Sequence, residues 1–179
     1  MTAGSIRVGV VDDHPLILEG IQAQLEAAPH IAVVGKAARG EEVSELVGRL
    51  QPDVVLMDIT LKGLNGIEAT RTLTREGVTT AVIILTMHDD DEYVLQAAQA
   101  GARGYVLKSA EPQALVTAIE AVHRGETAFS PDVAEALLRE VGGSADPTKR
   151  RLAPRERQVL ALIAQGRINK EIADELSLS

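Results

Sequence analysis

Five short apolar runs, at Ile6–Val11, Ile31–Ala37, Val54–Met57, 81–85 and Gly104–Leu107, alternate along the chain with longer amphipathic stretches. Several runs are apolar at consecutive positions, as strands covered on both faces must be. The amphipathic stretches lie near 15–27, 41–50, 66–75, 90–100 and 111–123, and each predicts a helix. In the last, Leu115, Ile119 and Val122 share one face at helical spacing. Ala100-Gly101 and Arg124-Gly125 carry the glycine that closes a helix. Repeated strand–helix alternation implies an α/β fold, a five-stranded parallel sheet with helices on both faces. Right-handed crossovers make it doubly wound, and ligands then bind beyond the strand C-termini.

The residues that end the strands are therefore the informative ones. Strand one ends in Asp12-Asp13, strand three in Asp58, strand four in Thr86 and strand five in Lys108. Carboxylates gathered at one edge repel each other and call for a cation. All-oxygen ligands suit a hard ion such as Mg2+. Taken singly, each residue has a plainer role. Asp12 or Asp13 could cap a helix that opens at Pro15, Thr86 could satisfy backbone, and Lys108 could sit in solvent. Capping does not account for Asp58, because Ile59-Thr60-Leu61 follows it rather than a helix start.

Composition narrows the picture. Apolar residues make up 45% and charged residues 25%, ordinary globular values. Aromatics are 2%, so the core is aliphatic and platforms for stacking bases are few. Without Cys there is no disulfide, thiolate metal site or cysteine nucleophile, which fits a reducing compartment. No apolar run approaches membrane-spanning length, so a cytoplasmic protein is expected. The net charge of −8 is unevenly shared. Residues 1–141 hold 11 basic and 21 acidic residues, whereas 142–179 hold 7 and 5. Between the two parts lies Gly142-Gly143-Ser144-Ala145-Asp146-Pro147-Thr148, a flexible, breaker-rich seam.

Val10-Val11-Asp12-Asp13-His14-Pro15, Asp53-Val54-Val55-Leu56-Met57-Asp58, Ile84-Leu85-Thr86 and Gly104-Tyr105-Val106-Leu107-Lys108 stand in the order and spacing of a known family. The chain resembles a two-component response regulator of the NarL/FixJ-like class, a receiver followed by a LuxR-type helix-turn-helix. The resemblance implies a receiver over 1–126, an extra helix and linker over 127–152, and part of a DNA-binding domain over 153–179. It implies that Asp58 accepts a phosphoryl group from a sensor histidine kinase. Asp12, Asp13, Asp58 and the Thr60 backbone carbonyl would hold Mg2+. Lys108 and Thr86 would meet the phosphoryl oxygens, and Tyr105 would be the switch aromatic. Thr60 and His88 occupy the positions that tune the lifetime of the phosphoryl group. A homodimer is expected on phosphorylation, through a face built from helices one and five or from helix four, strand five and helix five.

Two departures stand near the acceptor. The loop usually reads Met-Pro-Gly and here reads Leu61-Lys62-Gly63, with Gly63 and Gly66 keeping the turn chemistry. Ser109 follows Lys108 where many receivers carry Pro, which leaves a trans or a cis bond open. Towards the C-terminus, helices are expected over 131–140, 154–164 and 169–176. Leu152-Ala153-Pro154-Arg155-Glu156 and Asn169-Lys170-Glu171-Ile172-Ala173 resemble the opening of a LuxR-type domain, with Ala153 and Ile168 where the family favours a Ser or Thr cap. The recognition helix that follows in the family is absent, so sequence-specific DNA binding is expected only of a form that includes it. The chain is not expected to be an enzyme, apart from assisting its own phosphorylation and dephosphorylation. A phosphatase of the haloacid dehalogenase type needs a second Asp two residues after its nucleophile, and Asp58-Ile59-Thr60 lacks it. A phosphorylation-independent interaction module would be favoured by a broken acidic cluster, and this one is intact. A dinucleotide site fails for want of Gly-x-Gly-x-x-Gly after strand one.

Overall fold

The computed structural model describes residues 4–129 and 134–135. Its strands are β1 (Ile6–Val11), β2 (Ile31–Ala37), β3 (Val54–Met57), β4 (Ala81–Thr86), β5 (Gly104–Leu107) and β6 (Ala128–Phe129). Its helices are α1 (Pro15–Glu26), α2 (Val43–Leu50), α3 (Gly66–Arg75), α4 (Asp91–Ala100) and α5 (Pro112–His123), with a short 3-10 turn, Gly40–Glu42, before α2. All strand pairs are parallel, in the order β2-β1-β3-β4-β5-β6. The order reverses between β1 and β3, which places the switch point beside the ends of those two strands.

The sheet has six strands where the apolar runs predict five. The sixth is two residues long, too short to show a period, and it pairs with Gly104 and Tyr105 at the β5 edge. It lies within the stretch expected to begin the linker, so the sheet continues to Phe129.

Alternation along the strands sorts the core into two layers. Val8 and Val10 of β1, Val54 and Leu56 of β3, and Ile83 and Leu85 of β4 pack with Ile21 and Leu25 of α1 and Leu115 and Ile119 of α5. Val55 and Met57 of β3 and Val82 and Ile84 of β4 pack with α2, α3 and α4. The central strands β3 and β4 are buried at every position, which accounts for their unbroken apolar runs. Among the described residues no helix is long and apolar enough to cross a membrane. The helices expected over 154–164 and 169–176 lie outside the described residues. Of the one expected over 131–140, only 134–135 are described, and both are helical.

Candidate functional site

The sheet's own hydrogen bonds fix the backbone of the strand-end residues. The Asp12 amide donates to the Ala37 carbonyl at 3.1 Å, and the Asp58 amide to the Val11 carbonyl at 2.9 Å. The Lys108 amide donates to the Thr86 carbonyl at 2.8 Å. The site thus rests on rigid ladder, one residue beyond the apolar runs that anchor it.

The side chains converge as the strand ends predict. Asp12, Asp58 and Thr86 are buried, and they are three of the four buried polar side chains among the described residues. Lys108 Nζ lies 2.5 Å from Asp12 Oδ2 and 3.3 Å from Asp58 Oδ1, with 10% of its side chain exposed. The other oxygen of Asp12 accepts the His14 amide at 2.8 Å, where α1 begins. The residue that opens α1 is His14, and no side chain caps the helix, so Asp12 holds the chain just before the helix rather than capping it.

Burial lifts the Asp58 carboxyl above its ordinary value. Lys108 pulls it back, Asp12 lifts it further, and the Thr60 amide donates to the ionised form. The carboxylate is poorly solvated and is held in place by the Lys108 ammonium.

Asp13 supplies the test of the expected metal. Its Oδ1 is buried and accepts no hydrogen bond. His14 Nδ1 comes within 2.8 Å, but the pair is misdirected for a hydrogen bond, and 64% of the His14 side chain is exposed. A buried oxygen with an unused lone pair needs a partner. Ligand atoms of Asp12, Asp13, His14 and Asp58 all lie within 4.8 Å of one another. Three carboxylates around an unfilled acceptor fit a hard divalent cation such as Mg2+. His14 joins the three carboxylates, and its place directly after Asp12-Asp13 is visible in the sequence.

His88 joins the remaining predicted residues. Its amide donates to Thr86 Oγ1 at 3.2 Å, and its carbonyl accepts the Tyr105 hydroxyl at 2.7 Å. Its Nε2 lies 3.3 Å from Thr60 Oγ1, and its ring tilts against Tyr93 at 5.1 Å between centroids. Tyr105 is fully buried, and burial, with Asp90 and Asp89 nearby, raises its hydroxyl above the ordinary value. The Lys108–Ser109 bond is trans, since no described peptide bond is cis.

Residues 8–120 match the response regulator receiver domain family, so the sheet and its acidic edge are a receiver. Residues 150–179 match the bacterial regulatory proteins of the luxR family. The chain belongs to the two-component response regulators of the NarL/FixJ-like class. It is 43% identical over 175 residues to the transcriptional regulatory protein MctR of Rhizobium johnstonii, covering 97% of this chain and 80% of that protein. It is 40% identical over 178 residues to the nitrate/nitrite response regulator NarP of Escherichia coli, covering 99% and 83%. A solved LuxR-family response regulator from Aurantimonas superimposes with a TM-score of 0.73 at 42% identity, over 78% of this chain and 100% of that one.

Proposed function

We propose that Asp58 receives a phosphoryl group from a phosphohistidine of a sensor histidine kinase and that this controls transcription. An Asp58 carboxylate oxygen attacks phosphorus, the phosphorus–nitrogen bond breaks, and the imidazole leaves and takes a proton from solvent. Mg2+ held by Asp12, Asp13, Asp58 and the Thr60 backbone carbonyl would neutralise charge on the phosphoryl oxygens. Lys108 turns its ammonium from the two carboxylates to a phosphoryl oxygen. Thr86 gives up the His88 amide for another. His88 also holds Tyr105, so a shift of Thr86 carries the β4–α4 segment and the Tyr105 hydroxyl with it. Phosphorylation then favours one of two receiver states. The output is dimerisation and DNA binding by the LuxR-type part, in the cytoplasm.

The observation that supports this reading most is the pairing of a nearly buried lysine with two buried carboxylates, beside an Asp13 oxygen that accepts no hydrogen bond. The test is intact mass after incubation with acetyl phosphate. A single phosphoryl adduct is expected with Mg2+ and none with the metal chelated. An adduct that forms equally without metal would remove Mg2+ from the account.

Thr60 and His88 face each other across the acceptor loop and the β4–α4 loop, where each can order or exclude an attacking water. Replacing both with Ala is expected to change the hydrolysis rate of the phosphorylated protein by about a hundredfold, the lower end for a positioned proton-transfer group. An unchanged rate would sink this assignment.

A further inference from the structure

The acceptor loop, 59–65, lacks the Pro that would stiffen it, yet a second segment holds it in place. Glu41, in the 3-10 turn after β2, reaches across and accepts the Leu64 amide at Oε1, 2.9 Å away. The hydrogen bonds from its own amide and from Leu64 hold the Glu41 carboxyl below its ordinary value. The same carboxylate lies over the Cα of Gly63, whose φ is +81°, and an added Cβ there would stand 2.9 Å from Cδ of Glu41. One position before the turn, Arg39 forms a parallel bridge with Lys62 of the loop. Its neighbour Glu42 faces the other way and accepts the Ala38 amide at 3.0 Å. Thus Glu42 ties the turn to the end of β2, and Glu41 ties it to the acceptor loop.

We infer that Glu41 is a positioning residue for the metal and phosphoryl site, clamping the loop between Asp58 and α3 through the Leu64 amide. This rests on the reading that the loop supplies the Thr60 carbonyl to Mg2+. A loop with a positive-φ glycine and no proline has many conformations to lose on binding a metal. A fixed acceptor on its far side removes part of that loss beforehand. Glu41 touches neither metal nor phosphoryl group in this account. Its effect is on how well the loop is already placed.

The test compares the full chain with Glu41→Ala and Glu41→Gln. Gln keeps an acceptor oxygen and removes the charge, so it separates a clamp from a general attraction for cations. Mg2+ affinity is read by calorimetry and the Leu64 amide by hydrogen exchange. Glu41→Ala is expected to raise the Mg2+ dissociation constant about three- to tenfold, the worth of one hydrogen bond, and to speed Leu64 exchange. Phosphorylation at saturating Mg2+ is expected to stay within about twofold, because the clamp acts before the metal is bound. Glu41→Gln is expected to keep both near the unsubstituted values. Unchanged Mg2+ affinity in Glu41→Ala would overturn the inference, as would equal loss in Ala and Gln. If the unsubstituted chain itself binds no Mg2+, the reading of the site fails, and Leu64 exchange still decides whether the clamp exists.

Discussion

Lys108→Met is expected to lower the stability of the metal-free protein by about 3 kcal/mol, the low end for breaking a buried ion pair. The lysine is the cation shared by Asp12 and Asp58, which are 0% and 4% exposed. Without it the two carboxylates face each other in a place where water cannot screen them. The loss stays at the low end because Asp58, already raised by burial, relieves part of the repulsion by taking a proton. Mg2+ replaces the lost charge and is expected to return most of the stability, about 2.7 kcal/mol when present at a hundred times its dissociation constant. Function is not returned with it, since no ammonium remains for the phosphoryl group. Urea unfolding with and without Mg2+ checks both halves. A loss below about 1 kcal/mol, the scale of an exposed pair, would mean that Lys108 is a solvated strand end after all.

Gly66→Ala is the second large effect. Gly66 opens α3, and its amide donates to the Ile59 carbonyl at 3.0 Å. Its Cα is pressed against the end of β3, so an added Cβ would sit inside contact distance of the Asp58 carbonyl oxygen, 2.8 Å from the Asp58 carbonyl carbon and 2.9 Å from Met57 Cγ. Two of these three neighbours are backbone, which cannot swing aside. Either α3 lifts from the sheet or Asp58 is pushed out of line. The expected loss is about 3 kcal/mol, the upper end for overpacking. Phosphorylation of the folded fraction is expected to slow by about a hundredfold, the cost of a misplacement near 1 Å. Wild-type stability and rate in this variant would show that the helix start is looser than its contacts indicate.

Much of this was legible in the sequence because parallel strands covered on both faces leave little choice of residue. The runs at Val54–Met57 and 81–85 mark the buried centre, and Asp58 stands out against them as a charged residue with no local reason to be there. The strand register then carries Asp12, Asp58 and Lys108 to one edge without any further information. What escaped were contacts between segments far apart in the chain. Glu41 reads as one more acidic residue at the front of a helix until the fold brings Leu64 to it. His88 is legible beside Thr60 from the family resemblance, but only the packed β4–α4 segment shows its amide on Thr86, its carbonyl on Tyr105 and its ring against Thr60. The sixth strand escaped for another reason. Ala128–Phe129 owes its place to the open edge of β5, not to a pattern of its own.

Intact mass after incubation with acetyl phosphate and Mg2+ shows directly whether Asp58 is the phosphoryl acceptor. The unsubstituted chain is expected to gain one phosphoryl group and Asp58→Asn none, with both proteins folded. An adduct of the same extent on Asp58→Asn, or none on the unsubstituted chain with Mg2+ bound, would contradict it.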